Sequence, residues 1–205
     1  MALKSRKERV RLLGEEHEDA LDSTAILARV WSLEGRWEKA ERLEEQVIEI
    51  RKMKFGDDHP STLANISNLA LTYYSQGRWG EAEELQVQVI EIFKMKFGED
   101  HPSTLANISN LASTFYNQGR TEEAEKLQVH VMQTRKTKLG EDHPDTLDSM
   151  ASLAFTWKQS GQKAEAINLL RYCIAKQKKI LGQTHWETLA NSTALVEWLM
   201  ESPML

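Results

Sequence analysis

One octapeptide recurs along this chain without slippage, and that recurrence constrains the fold more than any other feature. Gly56-Asp57-Asp58-His59-Pro60-Ser61-Thr62-Leu63 returns as Gly98-Glu99-Asp100-His101-Pro102-Ser103-Thr104-Leu105 and as Gly140-Glu141-Asp142-His143-Pro144-Asp145-Thr146-Leu147. Fainter copies start at Gly14, with Glu15, Glu16, His17 and Leu21, and at Gly182, with His185, Thr188 and Leu189. The histidines of the series, His17, His59, His101, His143 and His185, each stand 42 residues from the next. A fixed period of about 20 to 50 residues is the signature of a stacked array in which each repeat buries surface only against its neighbours. The 205 residues are therefore read as one continuous array without a central core.

Within a repeat, Leu63, Ile66, Leu69, Ala70 and Tyr73 fall at helical spacing and form one apolar stripe. Pro60 suits the first helical position, where its missing N–H costs nothing, and His59 or Asp58 caps ahead of it. Gly77 ends that helix in a conformation only glycine adopts cheaply, as do Gly35, Gly119 and Gly161. A second helix follows, with Ala82, Leu85, Val89 and Ile92 on one stripe and Val87 and Ile90 beside it, implying two neighbours. Its C-terminal turn is basic in every full copy (Arg51, Lys52, Lys54; Lys94, Lys96; Arg135, Lys136, Lys138), which complements the helix dipole. With the two helices called A and B, the chain reads as a partial helix B (3–12), repeats 14–55, 56–97, 98–139 and 140–181, and a terminal helix A (186–200). The expected fold is all-α, a solenoid of antiparallel helix pairs. Array ends normally carry a polar face. Trp186, Leu189, Leu195, Val196 and Trp198 make the last helix apolar on more than one side, so it either caps the array or belongs to a longer one.

Composition narrows the partner class. Lysine and arginine number 26 against 31 acids, for a net charge of −5 with the two signs well mixed. A nucleic-acid binder needs a basic excess on one face, so no nucleic acid is expected. Cys173 is the only cysteine, so no internal disulfide forms; this fits a reducing compartment, and the expected location is cytoplasmic. No apolar run approaches the ~18 residues of a membrane span, so no membrane partner is expected. The basic first thirteen residues faintly suggest a transit peptide, but Leu13 is in register with Phe55, Phe97, Leu139 and Leu181, as the tail of a truncated repeat would be.

Leu69-Ala70, Tyr73, Gly77 and Ala82 stand at tetratricopeptide-repeat spacings. The 42-residue form, with Gln-Gly-Arg at the inner turn and Gly-x-x-His-Pro-x-Thr-Leu between repeats, resembles the repeats of kinesin light chains. It is also similar to the sensor arrays of fungal STAND-type (NLR-type) receptors, of which the chain would be a fragment. One departure stands out: where a bulky aromatic is frequent on helix B, this chain has Glu44, Gln86, Gln128 and Leu170. Repeats two and three are largely identical, as in recently duplicated or consensus-designed arrays. The resemblance implies a right-handed superhelix whose A helices line a concave groove for an extended peptide or a partner helix.

On helix A the residues rotated away from the core stripe are Ala64, Ser67, Asn68, Leu71 and Tyr74, then Ala106, Ser109, Asn110, Ser113 and Tyr116 in the next copy. In the flanking repeats the same face carries Arg29, and Phe155 with Lys158. Small residues leave room for a backbone, asparagine can bond its N–H and C=O, and tyrosine offers a flat contact with a polar tip. The expected peptide- or protein-binding residues are therefore Arg29, Ser67, Asn68, Leu71, Tyr74, Ser109, Asn110, Ser113, Tyr116, Phe155 and Lys158. Chaperone-binding arrays grip a C-terminal carboxylate with cations, but Ala25, Asn68, Ala106 and Asn110 stand at the corresponding positions, so no tight carboxylate clamp is expected.

Catalytic and metal chemistry is not expected. Each recurrent histidine sits in a separate turn, and packed helices lie ~8–10 Å apart, too far for two such imidazoles to share one ion readily. Cys173 aligns with Val47, Val89 and Val131 as a small core residue. The Asn65, Asn107 and Asn191 sequons fall inside helices, and neither a phosphate-cradling loop nor an interpretable Ser/His/Asp set is present. The expected protein is a non-enzymatic, cofactor-free adaptor or ligand sensor that binds a protein or peptide. The alternative is a structural array that self-associates head to tail through its terminal helices.

Overall fold

The structure, a computed structural model, describes residues 2–201. Among the described residues it holds ten α-helices and no strand: α1 (Ala2–Leu13), α2 (Glu18–Leu33), α3 (Trp37–Phe55), α4 (Pro60–Ser75), α5 (Trp79–Phe97), α6 (Pro102–Asn117), α7 (Thr121–Leu139), α8 (Pro144–Gln159), α9 (Lys163–Ile180) and α10 (Trp186–Met200). The helices fall into two compact units, Met1–Leu111 and Ala112–Leu205, the division lying inside α6. In the first unit each helix from α1 to α5 packs on the next, and α2 also touches α4. In the second, α7 packs on α8, α8 on α9 and α9 on α10.

The turn inside each repeat is a Schellman closure, and it explains the glycine at its positive-φ position. In repeat two, Gly77 (φ 77°) donates its N–H to Tyr74 O at 3.0 Å and Arg78 to Tyr73 O at 2.9 Å, satisfying carbonyls the helix end would strand. The Arg78 guanidinium then lies 4.1 Å from the centre of the Tyr73 ring, and Arg120 lies 3.9 Å from that of Phe115. The aromatic near the end of helix A thus serves the core with one edge and the turn with its face.

The turn between repeats uses the whole octapeptide. Gly56, Gly98 and Gly140 adopt φ of 93°, 91° and 92° with ψ of 166°, 164° and 162°. That region is closed to residues with a Cβ. His59, His101 and His143 each accept, at Nδ1 and 3.2 Å, the N–H two residues on, so histidine rather than the preceding aspartate is the cap. His59 and His101 also stack on Phe55 and Phe97, with ring centres 4.8 Å and 4.9 Å apart. Thr104 and Thr146 return their hydroxyls to Gly98 O and Gly140 O at 2.9 Å, and Leu63, Leu105 and Leu147 enter the core. Nothing lies within 4 Å of a Cβ built on Gly98, so Gly98→Ala should cost about 1–3 kcal/mol through backbone strain alone. Gly80→Ala, on the open first turn of α5, should instead be neutral or stabilising by up to about 1 kcal/mol. Urea unfolding of the two variants checks the contrast.

In the first unit Ile48, Leu63, Ile66, Leu69, Val89 and Phe93 form one cluster, with Tyr73, Leu85 and Ile92 packed on it. In the second, Leu147, Met150, Ala151, Ala154, Ala166, Leu170, Cys173, Ile174 and Trp198 do so. The helix-A stripe is as the sequence implies. Helix B differs in two respects. Val87 faces solvent, and its expected place beside Ile90 is taken by Gln86 and Phe93, both buried. Arg51 and Arg135 are buried as well and do not serve the helix dipole from the surface. The exposed lysines beside them do meet acids: Lys52 reaches Asp57 at 3.1 Å, and Lys136 reaches Glu141 at 2.7 Å.

Arg51 donates to Asn65 Oδ1 at 2.6 Å and Ser61 O at 3.1 Å on α4, and pairs with Asp22 on α2. Arg135 repeats the pattern with Ser149 Oγ at 2.7 Å and Asp145 O at 3.1 Å. Asn191 completes the series by donating to Gln177 Oε1 at 3.0 Å. Each is a polar brace from helix B to a position fourteen residues on, in the next helix A.

Candidate peptide-binding face

A cleft of about 280 Å³ opens between α2 and α4, lined by Arg29, Ser32, Leu33, Glu44, Asn68, Leu71, Thr72, Tyr74 and Ser75. It exists because helices A of successive repeats adjoin while α3 lies behind them both. Four of the sequence-predicted binding residues meet here: Arg29 from α2, and Asn68, Leu71 and Tyr74 from α4. Leu33 and Leu71 are exposed walls, and Asn68 and Tyr74 are half-buried.

The floor holds a residue the prediction omitted. Glu44 on α3 is 1% exposed, and its Oε2 has no hydrogen-bond partner among the described residues. Burial pushes the carboxyl up to about 7; a hydrogen bond with Thr72 opposes that, and the charge of Glu41 one turn earlier adds to it. Thr72 Oγ1 also lies 3.2 Å from Ser32 Oγ, which closes the back of the cleft. The clue in the sequence was the register: Glu44 stands four residues after buried Ala40 and three before buried Val47, on the inward stripe of its helix.

The other predicted residues have different surroundings. Ser67 lies 3.0 Å from Leu63 O and 2.9 Å from Asn107 Oδ1, tied to its own helix and to α6. Ser109 and Asn110 are half-buried on the part of α6 that belongs to the first unit, and each is engaged in interactions of its own. In the second unit Ser113 and Tyr116 are half-buried on α6, and Asn117 donates to Ser113 O at 2.9 Å. Phe155 packs edge-on against Trp198 with ring centres 5.0 Å apart, and Lys158 pairs with Glu201 at 2.5 Å. Both therefore lie against the last helix.

A second recess, about 630 Å³, is lined by Gly35, Arg36, Trp37, Glu38, Lys39, Glu41, Gln76 and Arg78 at the Schellman turns. There Glu41 accepts from Gln76 at 2.9 Å and Arg78 at 2.8 Å. Cys173 is fully buried, its thiol pushed up to about 12 by burial and directed at Leu147 O at 3.1 Å. Asn65, Asn107 and Asn191 are buried side chains. Among the described residues no three His, Cys, Asp or Glu side chains gather to hold a metal ion, and no helix is long and apolar enough to cross a membrane.

Helix pairs closed by a Schellman turn and joined by a capped glycine turn define a tetratricopeptide-type array. Matches to the tetratricopeptide repeat family cover residues 34–95, 61–136 and 103–179, with a further match over 21–46, and the chain belongs to that family. Among solved structures it is similar to the nearly identical TPR-like repeats of a kinesin-light-chain candidate from Podosopora anserina. The identity is 33%, over 87% of this chain and 84% of that one; the TM-score is 0.73 for a form of that protein carrying a point substitution and 0.70 for a second crystal structure. BtubC (BKLC) from P. vanneervenii shares the fold at 21% identity, with a TM-score of 0.77 over 97% of this chain and 82% of that one. No curated protein matches the sequence significantly. Repeats of this family generally mediate protein–protein interaction, and the proteins built from them are typically non-catalytic scaffolds.

Proposed function

We propose that this chain is an interaction module that binds an extended peptide or protein segment along its A-helix face, in an adaptor or ligand-sensor role, without catalysing a reaction. The observation that supports this reading best is the cleft where Arg29, Asn68, Leu71 and Tyr74 converge, because a hydrogen-bonding amide, an aliphatic wall and a phenol suit an extended backbone and its side chains. The lone buried thiol fits a reducing compartment such as the cytoplasm. A pull-down comparing wild type with the Asn68/Tyr74/Asn110/Tyr116 quadruple alanine variant tests it. Partners held by wild type should be lost from the variant; equal capture by both would refute the groove.

Self-assembly is a second reading, favoured by the apolar residues α10 leaves exposed: Trp186, Leu189, Val196, Leu199 and Met200. Light scattering against concentration separates the two, since a binding module stays monomeric while a self-assembling array gains mass.

A further inference from the structure

The cleft between α2 and α4 holds more than a generic peptide groove requires. A peptide backbone needs donors and acceptors at the surface, whereas this cleft ends on a carboxyl that solvent does not reach and whose Oε2 is unpartnered. Burying such a group is costly, and a fold carries it without penalty only where a partner completes it. At the same register the next two repeats have Gln86 and Gln128, so the scaffold accommodates an uncharged side chain of the same length there. The acid belongs to the first cleft alone.

We propose that this cleft receives a lysine side chain from the bound segment, with the ammonium meeting the Glu44 carboxylate as its side chain turns up from the floor. This rests on the A-helix face being the binding surface and names what that surface selects. The walls fit a lysine: Leu33 and Leu71 can flank its methylene stem, and beneath them Glu44 carries one unpartnered oxygen. Arginine fits less well, because its fork needs two acceptors in one plane and Thr72 already engages the carboxyl. The charged groups around the site agree. From α3, Glu41 adds negative potential. From α4 the cleft is lined by Asn68, Leu71, Thr72, Tyr74 and Ser75, with no acid, lysine, arginine or histidine among them. From α2, Arg29 is the only cation, exposed at the mouth and not among the groups that act on the carboxyl. A lysine that enters takes a place no side chain of the protein fills.

Occupation requires the ionised carboxylate, so binding draws a proton off Glu44 and affinity rises with pH. With a carboxyl that titrates at about 7, the competent fraction grows about tenfold between pH 6 and pH 8. The test uses the full chain with carbon-13-labelled glutamate, asparagine and tyrosine and two blocked nonapeptides of serine, alanine and glycine, one with a central lysine and one with norleucine in its place. The lysine peptide should move the Glu44 carboxyl signal and lower its titration midpoint. It should bind about tenfold more tightly at pH 8 than at pH 6, and lose at least tenfold at pH 8 in Glu44→Gln. The norleucine peptide should show none of these effects. If both peptides shift Asn68 and Tyr74 alike and neither moves Glu44, the groove stands and the lysine site is wrong. If the lysine peptide perturbs nothing at pH 8, the lysine site is overturned, and the pull-down above decides the groove separately.

Discussion

Glu44→Gln is expected to stabilise the chain at pH 8 by about 2–3 kcal/mol and to leave it nearly unchanged at pH 5. In the folded chain this carboxyl titrates near 7, against 4.5 for an ordinary glutamate. Between those values the folded state holds a proton that the unfolded state has released. The stabilisation this gives is fully present below pH 4.5 and is lost as pH rises through 7. Wild type should therefore melt at a lower temperature at pH 8 than at pH 5.5, and the variant should remove most of that slope. At roughly 2–4 °C per kcal/mol for a chain of this size, the difference is readily measured by circular dichroism. A parallel pH dependence in the two proteins would show that Glu44 is ionised and satisfied in the fold.

Arg51→Ala should be the most damaging of the polar substitutions, costing about 2–4 kcal/mol in urea unfolding. The guanidinium is buried and ties α3 to α2 through Asp22 and to α4 through Asn65 and Ser61 O. Truncation opens a cavity and strips Asn65 Oδ1 of its donor, while Asp22 is open enough to recover water, which holds the loss below that of a fully enclosed pair. Asp22→Ala alone should then cost under about 1 kcal/mol. Arg51→Phe should recover more than half of the alanine loss, because Phe93 occupies the same register one repeat on and packs there as a core residue. If alanine and phenylalanine are equally harmful, the brace acts through its hydrogen bonds and not through volume.

The turns were legible because their residues have few uses. Glycine at a positive φ, proline at a helix start and histidine two residues before a free N–H each specify one local geometry. The helix-A stripe was legible because Leu63, Ile66, Leu69 and Ala70 are apolar and periodic. Helix B misled where residue type and register disagreed. Glu44, Arg51 and Gln86 look like surface residues and stand on inward positions, and chemistry alone assigned Arg51 to the helix dipole and left Glu44 as a family marker. Val87 erred the other way, an apolar residue on an outward position. Of the binding face, Arg29, Asn68, Leu71 and Tyr74 could be read from helical rotation within one repeat. The engagement of Phe155 and Lys158 by α10 could not, because periodicity says which side of a helix is free of its own core but not what the following element lays across it.

The brace from helix B spans the joint between one repeat and the next, and its helix-A side carries an amide or a hydroxyl in every copy: Ser23, Asn65, Asn107, Ser149 and Asn191. The helix-B side varies among arginine, phenylalanine and glutamine. Removing or adding a whole 42-residue copy would therefore set the same residue types against one another at the new joint.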